Sequence, residues 1–291
     1  MARWRSPLGA DEPRRFIVCA DQRSGSGLLC DLLARTEVAG FRETHEVLHP
    51  DRVRPQDIDW EREDLTAFMA ARFADNATDN GASGIKILSG QLRRLLAALG
   101  RSRRYRDMTF GQWITHLPPH TRFVWLLRQD KLRQAISLVR AEHTQTWHIR
   151  GDQPAPRDAP PYDGRRIARL VFDLKARDAW WRDAFEGAGC APLLVTYDRL
   201  REGREAAVKA VLRHAEIEAP AGLRISSEMK PLRDDLTERW VRRHQARSVS
   251  DRVLQSQVRW RLTGALEGST PGRRALDGLY RLHRRGRRGG A

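Results

Sequence analysis

The sequence predicts an α/β fold in which a mostly parallel central sheet carries helices on both faces. Two observations lead to this prediction. Four short apolar segments have the composition of buried strands, and segments with helical spacing follow each of them. Because strands and helices alternate along the chain, each strand can enter the same sheet in the same direction through a helical crossover. The 291 residues suffice for one large domain or two small ones.

The first strand, turn and helix fill about residues 16–36. The strand is the apolar run 16–20, and the leucines within 28–33 repeat at the spacing of a helix. The turn at 21–27 is rich in serine and glycine, so its backbone N–H groups can point at one anion near the helix N-terminus. Arg23 adds a full positive charge. The turn therefore predicts a phosphate-binding loop, and the alternative is an ordinary connection whose serines cap the helix.

This loop is not a Walker A motif. That motif requires a lysine directly after its last glycine, and neither Gly25 nor Gly27 is followed by one. A kinase or an enzyme that hydrolyses ATP or GTP is therefore disfavoured.

The rest of the chain continues the alternation of strands and helices. Further strands are predicted at about 84–88, 122–128 and 192–197, and helices at about 58–75, 91–99, 130–144, 163–187, 203–215 and 235–246. The long connections leave the order of the strands open. Ligands of parallel sheets bind beyond the carboxyl ends of the strands, where we expect Arg23, Arg128 and Tyr197.

Both ends of the chain differ from the predicted domain, which we place at residues 16–247. Residues 1–15 are basic without an apolar centre, so they predict a flexible N-terminus and not a signal peptide. Residues 248–291 form a basic, arginine-rich C-terminal extension. We favour a solvated helix with a frayed end for it, because arginine is abundant throughout. The alternative is a segment that contacts acidic membrane lipid or nucleic acid.

The charge and the cysteines narrow the class of protein. The 53 basic and 37 acidic residues give a formal net charge of +16, which attracts anions such as nucleotides. Cys19, Cys30 and Cys190 are few and lie mostly in apolar surroundings, which predicts reduced thiols in a cytoplasmic protein. We expect no metal site, because no zinc-type spacing of ligands occurs. No apolar run has the length of a membrane span.

Arg128 and Ser137 form a second candidate anion site. Arg128 ends the third predicted strand, and Ser137 lies within the helix that follows. If Arg128 precedes that helix, its side chain can turn back toward Ser137, and the guanidinium and the hydroxyl could share one phosphate. Separately, a strand-end arginine and a helix serine are ordinary surface residues. Beside the loop around Arg23, they predict a ligand with anionic groups at both ends.

Several stretches of the sequence resemble the bacterial trehalose 2-sulfotransferase-like family. The segment CADQRSGSGLL at 19–29 with VAG at 38–40, and RQDKLRQAISLVRA at 128–141 with TQTW at 144–147, resemble its two main motifs. Shorter matches follow in the expected order, namely GIK at 84–86 with Gln91, VTY at 195–197 and ERWV at 238–241. The resemblance covers about residues 16–246.

The resemblance implies a P-loop-like three-layer fold and a sulfotransferase. Such an enzyme moves the sulfuryl group of 3′-phosphoadenosine 5′-phosphosulfate (PAPS) to a hydroxyl of a carbohydrate, a glycolipid or a related small metabolite. The residues that would hold the 5′-phosphosulfate are Arg23, Ser24, Gly25, Ser26 and Gly27, and those for the 3′-phosphate are Arg128 and Ser137. Lys230 or Arg233 would supply a further 3′-phosphate contact. No Mg²⁺-bound γ-phosphate has to be positioned, which explains the absent Walker lysine.

Transfer of the sulfuryl group needs charge stabilisation and a general base. In an in-line attack, Arg23 and the loop N–H groups would stabilise the negative charge that grows on the leaving 5′-phosphate. A carboxylate suits the base if burial raises its pKa. The family has a glutamate shortly after its VAG segment, where an ungapped match gives Thr44. We select Glu46, which fits after a two-residue insertion, with Glu43 and His45 as alternatives.

The acceptor site is the least determined part of this prediction. Glu43, His45 and Lys86 are candidate acceptor contacts, although Lys86 could instead be a surface lysine at a strand end. Ser89 stands where the family usually has an aromatic residue on which a sugar ring can stack, which puts trehalose itself in doubt. The resemblance is compatible with a homodimer.

A non-catalytic protein that binds a nucleotide or nucleic acid on the same fold is the alternative function. The net charge of +16 is its main support. Nucleic-acid binding is disfavoured, because such surfaces interleave aromatic residues with basic ones. The basic extension has only Trp260 and Tyr280.

Overall fold

A computed structural model describes residues 12–41, 46–153, 160–229 and 234–246 of the chain. Within them, four strands form one sheet in the order β2-β1-β3-β4, and every neighbouring pair is parallel. The strands are β1 (Arg15–Ala20), β2 (Ser83–Leu88), β3 (Arg122–Leu127) and β4 (Leu193–Thr196). The parallel sheet confirms the predicted α/β class. Its order, which the sequence left open, places β1 and β3 at the centre, where the first loop and Arg128 leave neighbouring strands.

The helices follow the strands as predicted, with differences at their ends. They are α1 (Ser26–Ala34), α2 (Leu65–Ala74), α3 (Ser89–Leu99), α4 (Phe110–Ile114), α5 (Lys131–Thr144), α6 (Gly164–Gly187), α7 (Tyr197–Glu202), α8 (Arg204–His214) and α9 (Asp235–Gln245). The predicted start of α2 near residue 58 is wrong. Asp64 is the N-cap of this helix, and its carboxylate accepts a hydrogen bond of 2.9 Å from the N–H of Ala67. The short helices α4 and α7 have no predicted counterpart, because so few residues show no clear periodicity.

Alternate residues of β1 enter two different hydrophobic cores. Ile17 and Cys19 belong to a core that also contains side chains of α2, α3, α4 and α6. Phe16, Val18 and Ala20 belong to a second core with side chains of α1, α7 and α8. Successive side chains of a strand point to opposite faces, so the sheet is covered by helices on both sides. This arrangement confirms the three-layer α/β fold.

The chain divides into two compact units after Thr237. The first contains the sheet, α1 to α8 and the start of α9. Of the second, Glu238–Ala291, the structure describes residues 238–246, which include the rest of α9. The predicted flexible N-terminus and basic extension therefore fall almost wholly outside the described residues. Within the described ranges, no helix is both long enough and apolar enough to cross a bilayer.

The three cysteines are free thiols. Cys19 and Cys30 are buried in the cores on the two faces of the sheet, and Cys190 is partly buried. Burial raises the pKa of all three thiols, that of Cys30 to about 12. They are protonated at neutral pH, which is typical of structural and not of reactive cysteines.

Candidate active site

The loop between β1 and α1 turns through two residues with left-handed backbone conformation. Arg23 has φ of 60° and Gly25 has φ of 95°. Gly25 is the N-cap of α1, and no side chain caps this end of the helix. Ser24 is 1% exposed, and its hydroxyl has no hydrogen-bond partner. The alternative interpretation of the loop, in which its serines cap the helix, is therefore wrong.

Gly25 also lies directly against an aromatic ring at the end of β4. A Cβ atom added to Gly25 would lie 2.6 Å from Cδ2 of Tyr197. We expect Gly25→Ala to lower the free energy of unfolding by at least about 1–2 kcal/mol, because of the positive φ and this overlap. Gly90→Ala is the control, since Gly90 lies within α3 and a Cβ added there would meet no atom within 4 Å apart from its chain neighbours and the backbone of its own helix. Denaturant unfolding measures both, and equal stability of the two variants would contradict the close packing.

Arg23, Arg128 and Ser137 lie together at the carboxyl ends of β1 and β3. The Nε–H of Arg23 donates a hydrogen bond of 2.8 Å to the Ser137 hydroxyl. A terminal N–H of Arg128 donates one of 3.1 Å to the backbone carbonyl of Arg23. Ser137 thus contacts Arg23 and not Arg128, which differs from the pairing that the sequence suggested. The two anion sites predicted from separate stretches are adjacent parts of one site.

Tyr197, the residue directly after β4 and the first of α7, completes this group at the third strand end expected to border the site. The Arg128 guanidinium lies 4.5 Å from the centroid of the Tyr197 ring, within the range of a cation–π interaction. The Nε of Arg128 is buried and has no hydrogen-bond partner. Together with the Ser24 hydroxyl, it leaves two buried donors beside the loop. Buried donors without acceptors are costly, and an anionic ligand would satisfy them.

The electrostatics of this site favour an anion. Burial and the neighbouring charge of Arg128 lower the pKa of Arg23 to about 10. Burial also lowers the pKa of Arg128. Both guanidiniums stay charged at neutral pH, but their cationic forms are held close together and partly out of water. An anion bound between them would offset both effects. The residues therefore fit a ligand with phosphate or sulfate groups.

Glu46 lies in a second cluster, at the lateral edge of the sheet formed by β2. Its backbone pairs with that of Lys86 on β2, and its carboxylate forms an ion pair with the Lys86 ammonium. The side-chain amide of Gln91 donates a hydrogen bond of 2.6 Å to the same carboxylate. Gln91 also accepts a hydrogen bond of 3.0 Å from the N–H of Leu88, which orients its side chain. Lys86 is 5% exposed, so its interpretation as a surface lysine is wrong.

The pKa of Glu46 is shifted in the opposite direction to the one expected for a base. Burial acts to raise it, but the charge and hydrogen bond of Lys86 and the hydrogen bond from Gln91 outweigh burial, so the pKa is lowered. Glu46 is consequently ionised at neutral pH and ready to accept a proton. The ion pair with Lys86 lowers the pKa of Glu46, so a weaker ion pair would make the carboxylate a stronger base. The alternative bases, Glu43 and His45, lie outside the described residues.

A buried network of hydrogen bonds and an ion pair around Asp21 holds the start of the loop in place. Asp21 accepts a hydrogen bond from the Ser89 hydroxyl and lies 3.8 Å from a guanidinium nitrogen of Arg177. Arg177 also donates a hydrogen bond of 2.6 Å to the side chain of Gln22. Gln134 donates one of 2.8 Å to the backbone carbonyl of Gln22. The start of the loop is therefore fixed to α3, α5 and α6. Ser89 stands where the family usually has an aromatic residue, and in this structure its hydroxyl donates the hydrogen bond to Asp21.

The Asp21 network predicts a particular dependence of stability on pH. Burial raises the pKa of Asp21 to about 6, despite the opposing effects of Arg177 and Ser89. Between the unfolded pKa of about 3.9 and this value, the folded protein binds more protons than the unfolded chain, so this contribution to stability falls as pH rises. The stability of Asp21→Asn relative to wild type should therefore increase by about 2 kcal/mol between about pH 4 and pH 7. Denaturant unfolding across this range tests it, and a constant difference would contradict the buried carboxylate.

Comparison with known proteins assigns the chain to a family. The model of the Stf0 sulphotransferase family matches residues 15–247, a range that includes the loop, Arg128, Ser137, Glu46 and Lys86. The chain belongs to the Stf0 sulphotransferase family. This confirms the family that the motifs suggested, and it identifies the protein as a member of an enzyme family.

Two curated relatives of this sulphotransferase are both named trehalose 2-sulfotransferase. The trehalose 2-sulfotransferase of Mycobacterium tuberculosis (strain ATCC 35801 / TMC 107 / Erdman) is 27% identical over 231 residues, which are 68% of this chain and 83% of the relative. The trehalose 2-sulfotransferase of Mycolicibacterium smegmatis (strain ATCC 700084 / mc(2)155) is 27% identical over 235 residues, 70% of this chain and 84% of the relative.

Several of the predicted site residues of this sulphotransferase lie at the site, and others lie outside the residues that the structure describes. Arg23, Ser24 and Gly25 lie in the predicted turn, whereas Ser26 and Gly27 already belong to α1, which begins at Ser26. Lys230 and Arg233, the alternatives for a further phosphate contact, are not among the described residues. The contact between Asp21 and Arg177 could not be predicted from the sequence, because residues so far apart in the chain give no local signal that they meet.

Proposed function

We propose that this sulphotransferase uses PAPS as its donor and transfers the sulfuryl group to a hydroxyl of a carbohydrate, a glycolipid or a related small metabolite. The observation that carries the proposal is the convergence of Arg23, Arg128, Ser137 and the Ser24 hydroxyl at the carboxyl ends of adjacent parallel strands. The names of the two relatives support a sugar as the acceptor.

The loop and Arg128 would hold the two ends of the donor. The backbone N–H groups around Gly25 and the N-terminus of α1 suit the 5′-phosphosulfate, while Arg128 and Ser137 suit the 3′-phosphate. Bound PAPS supplies an activated sulfuryl group and, as leaving group, the 5′-phosphate oxygen. Arg23 contacts Ser137 through Nε and is held by the Arg128 hydrogen bond to its carbonyl, so its charge is fixed beside the loop.

Glu46 would accept the proton of the acceptor hydroxyl. The Lys86 ion pair keeps the carboxylate ionised before the acceptor arrives. If Lys86 shifts toward the sulfate oxygens during transfer, its hold on Glu46 weakens and the carboxylate becomes a stronger base at that moment. The hydrogen bond from Gln91 keeps Glu46 oriented throughout.

The experiment that tests this function measures transfer of labelled sulfate from PAPS. Trehalose, other disaccharides, monosaccharides and glycolipid headgroups serve as acceptors, with a reaction lacking acceptor as the control. We expect at least one sugar acceptor to become labelled, and labelling to require the protein. Absence of labelling on every acceptor, in a protein shown to bind the donor, would refute the carbohydrate acceptor but not the donor site.

We further propose that the protein acts in the cytoplasm. The three free thiols support a reducing compartment, because cysteines remain unpaired there. The homodimer and the contact of the basic extension with acidic membrane lipid remain predictions. Deleting residues 272–291 should reduce binding to anionic vesicles if that contact exists.

A further inference from the structure

His148 packs against the loop between β1 and α1, at Gly27, but it has no part in the mechanism proposed above. A Cβ atom added to Gly27, in the first turn of α1, would overlap Cε1 of the His148 ring and lie 3.1 Å from its Nδ1. The imidazole is therefore seated directly on the backbone of the loop, with only the hydrogen of glycine between them. The residue as a whole is exposed to solvent, although protein atoms surround much of its ring.

The segment that carries His148 is held in place from both sides. The backbone carbonyl of Trp147 accepts a hydrogen bond from the Arg23 guanidinium. Arg150 lies 2.9 Å from the carboxylate of Asp31 on α1. The N–H of Gly151 donates a hydrogen bond of 3.1 Å to the carbonyl of Glu228. Because residues on both sides of His148 are held by these contacts, the position of its backbone next to the loop is fixed.

The charges around His148 come from several elements and are mostly positive. Arg23 in the loop, Lys86 on β2 and Arg150 in its own segment disfavour the imidazolium, while Glu46 favours it. Burial, followed by these three cations, lowers the pKa of His148 to about 4, so the ring is neutral at pH 7 in the free protein. A phosphate or sulfate bound at the loop would add negative charge beside these cations and favour the protonated ring.

We propose that His148 is a further donor-binding residue, which takes up a proton from solvent when the 5′-phosphate group occupies the loop and donates an N–H to it. This inference rests on the proposed function, since it requires the donor at this loop. The step is one proton transfer: an N–H bond forms at the imidazole, the bond to hydrogen in the buffer acid breaks, and the conjugate base of the buffer stays in solution. The resulting imidazolium pairs with the anion, and no other covalent bond changes.

Calorimetric titration in two buffers of different ionisation enthalpy measures this proton directly. Adenosine 3′,5′-bisphosphate is the probe, and adenosine 3′-monophosphate is the matched ligand without the 5′-phosphate. At about pH 7 we expect the wild type to take up roughly half a proton or more per bisphosphate bound, and much less with the monophosphate. His148→Asn should lose this uptake and bind the bisphosphate about 10- to 100-fold more weakly.

His143→Asn is the control, because His143 is exposed in the last turn of α5 and has the same side-chain type. It should retain both the proton uptake and the affinity of the wild type. Bisphosphate binding with the same proton uptake in wild type and His148→Asn would overturn this inference alone. A wild type that does not bind the bisphosphate would overturn the donor assignment and this inference with it. Thermal unfolding verifies that each variant is folded.

Discussion

Replacing Glu46 by glutamine is expected to lower turnover about 10²- to 10⁴-fold, because the acceptor hydroxyl then loses its general base. Glutamine retains the size of the side chain and can still accept hydrogen bonds from Lys86 and Gln91, so the local fold should survive. The affinity for adenosine 3′,5′-bisphosphate should be nearly unchanged, since Glu46 is not part of the proposed donor site. The rate of labelled-sulfate transfer and a calorimetric titration measure the two quantities.

Two further variants make this result specific. Glu205→Gln removes an exposed carboxylate at the start of α8 and should leave turnover unchanged. Glu43→Gln tests the alternative alignment in the segment before Glu46. If Glu43→Gln abolishes turnover while Glu46→Gln does not, the base has been assigned to the wrong residue. The ion pair with Lys86 would then serve to hold the edge of the sheet.

Replacing Arg128 by alanine is expected to weaken binding of adenosine 3′,5′-bisphosphate by about 1–3 kcal/mol, the contribution of a hydrogen bond to a charged group. The loss should be much smaller for adenosine 5′-monophosphate, which lacks the 3′-phosphate. Because Arg128 also donates to the Arg23 carbonyl and stacks on Tyr197, a part of the loss will be common to both ligands. The difference between the two ligands isolates the direct contact.

Arg213→Ala is the control for the change in net charge. Arg213 is exposed near the end of α8, so its removal lowers the charge equally without touching the site. We expect it to affect both ligands little at moderate salt, where long-range attraction is screened. Equal losses for the two ligands in Arg128→Ala would contradict a contact of Arg128 with the 3′-phosphate.

The site could be predicted from the sequence where its signals are local. The loop follows a strand and precedes a helix, and Arg128 and Tyr197 each follow a strand. Because the strands are parallel, their carboxyl ends lie together, which places all three at the same end of the sheet. The pairing of Arg23 with Ser137 could not be predicted in this way. The two residues lie far apart in the chain, and only the central position of β1 and β3 brings them together.

The pKa of Glu46 shows a second limit of sequence analysis. Burial alone predicts a raised pKa, whereas the ion pair with Lys86 lowers it. Both residues were recognised as candidates, but nothing in the sequence indicates that their backbones pair at the edge of β2. The buried network of Asp21, Ser89 and Arg177 was missed for the same reason, since its members come from three separate elements.

The most direct test of the account is a calorimetric titration of the wild-type protein with adenosine 3′,5′-bisphosphate at moderate salt. We expect saturable binding to one site per chain, clearly tighter than binding of adenosine 5′-monophosphate, because Arg128 and Ser137 add contacts to the 3′-phosphate. Absence of binding, or equal affinity for the two ligands, would contradict the proposal that this sulphotransferase uses PAPS as its donor.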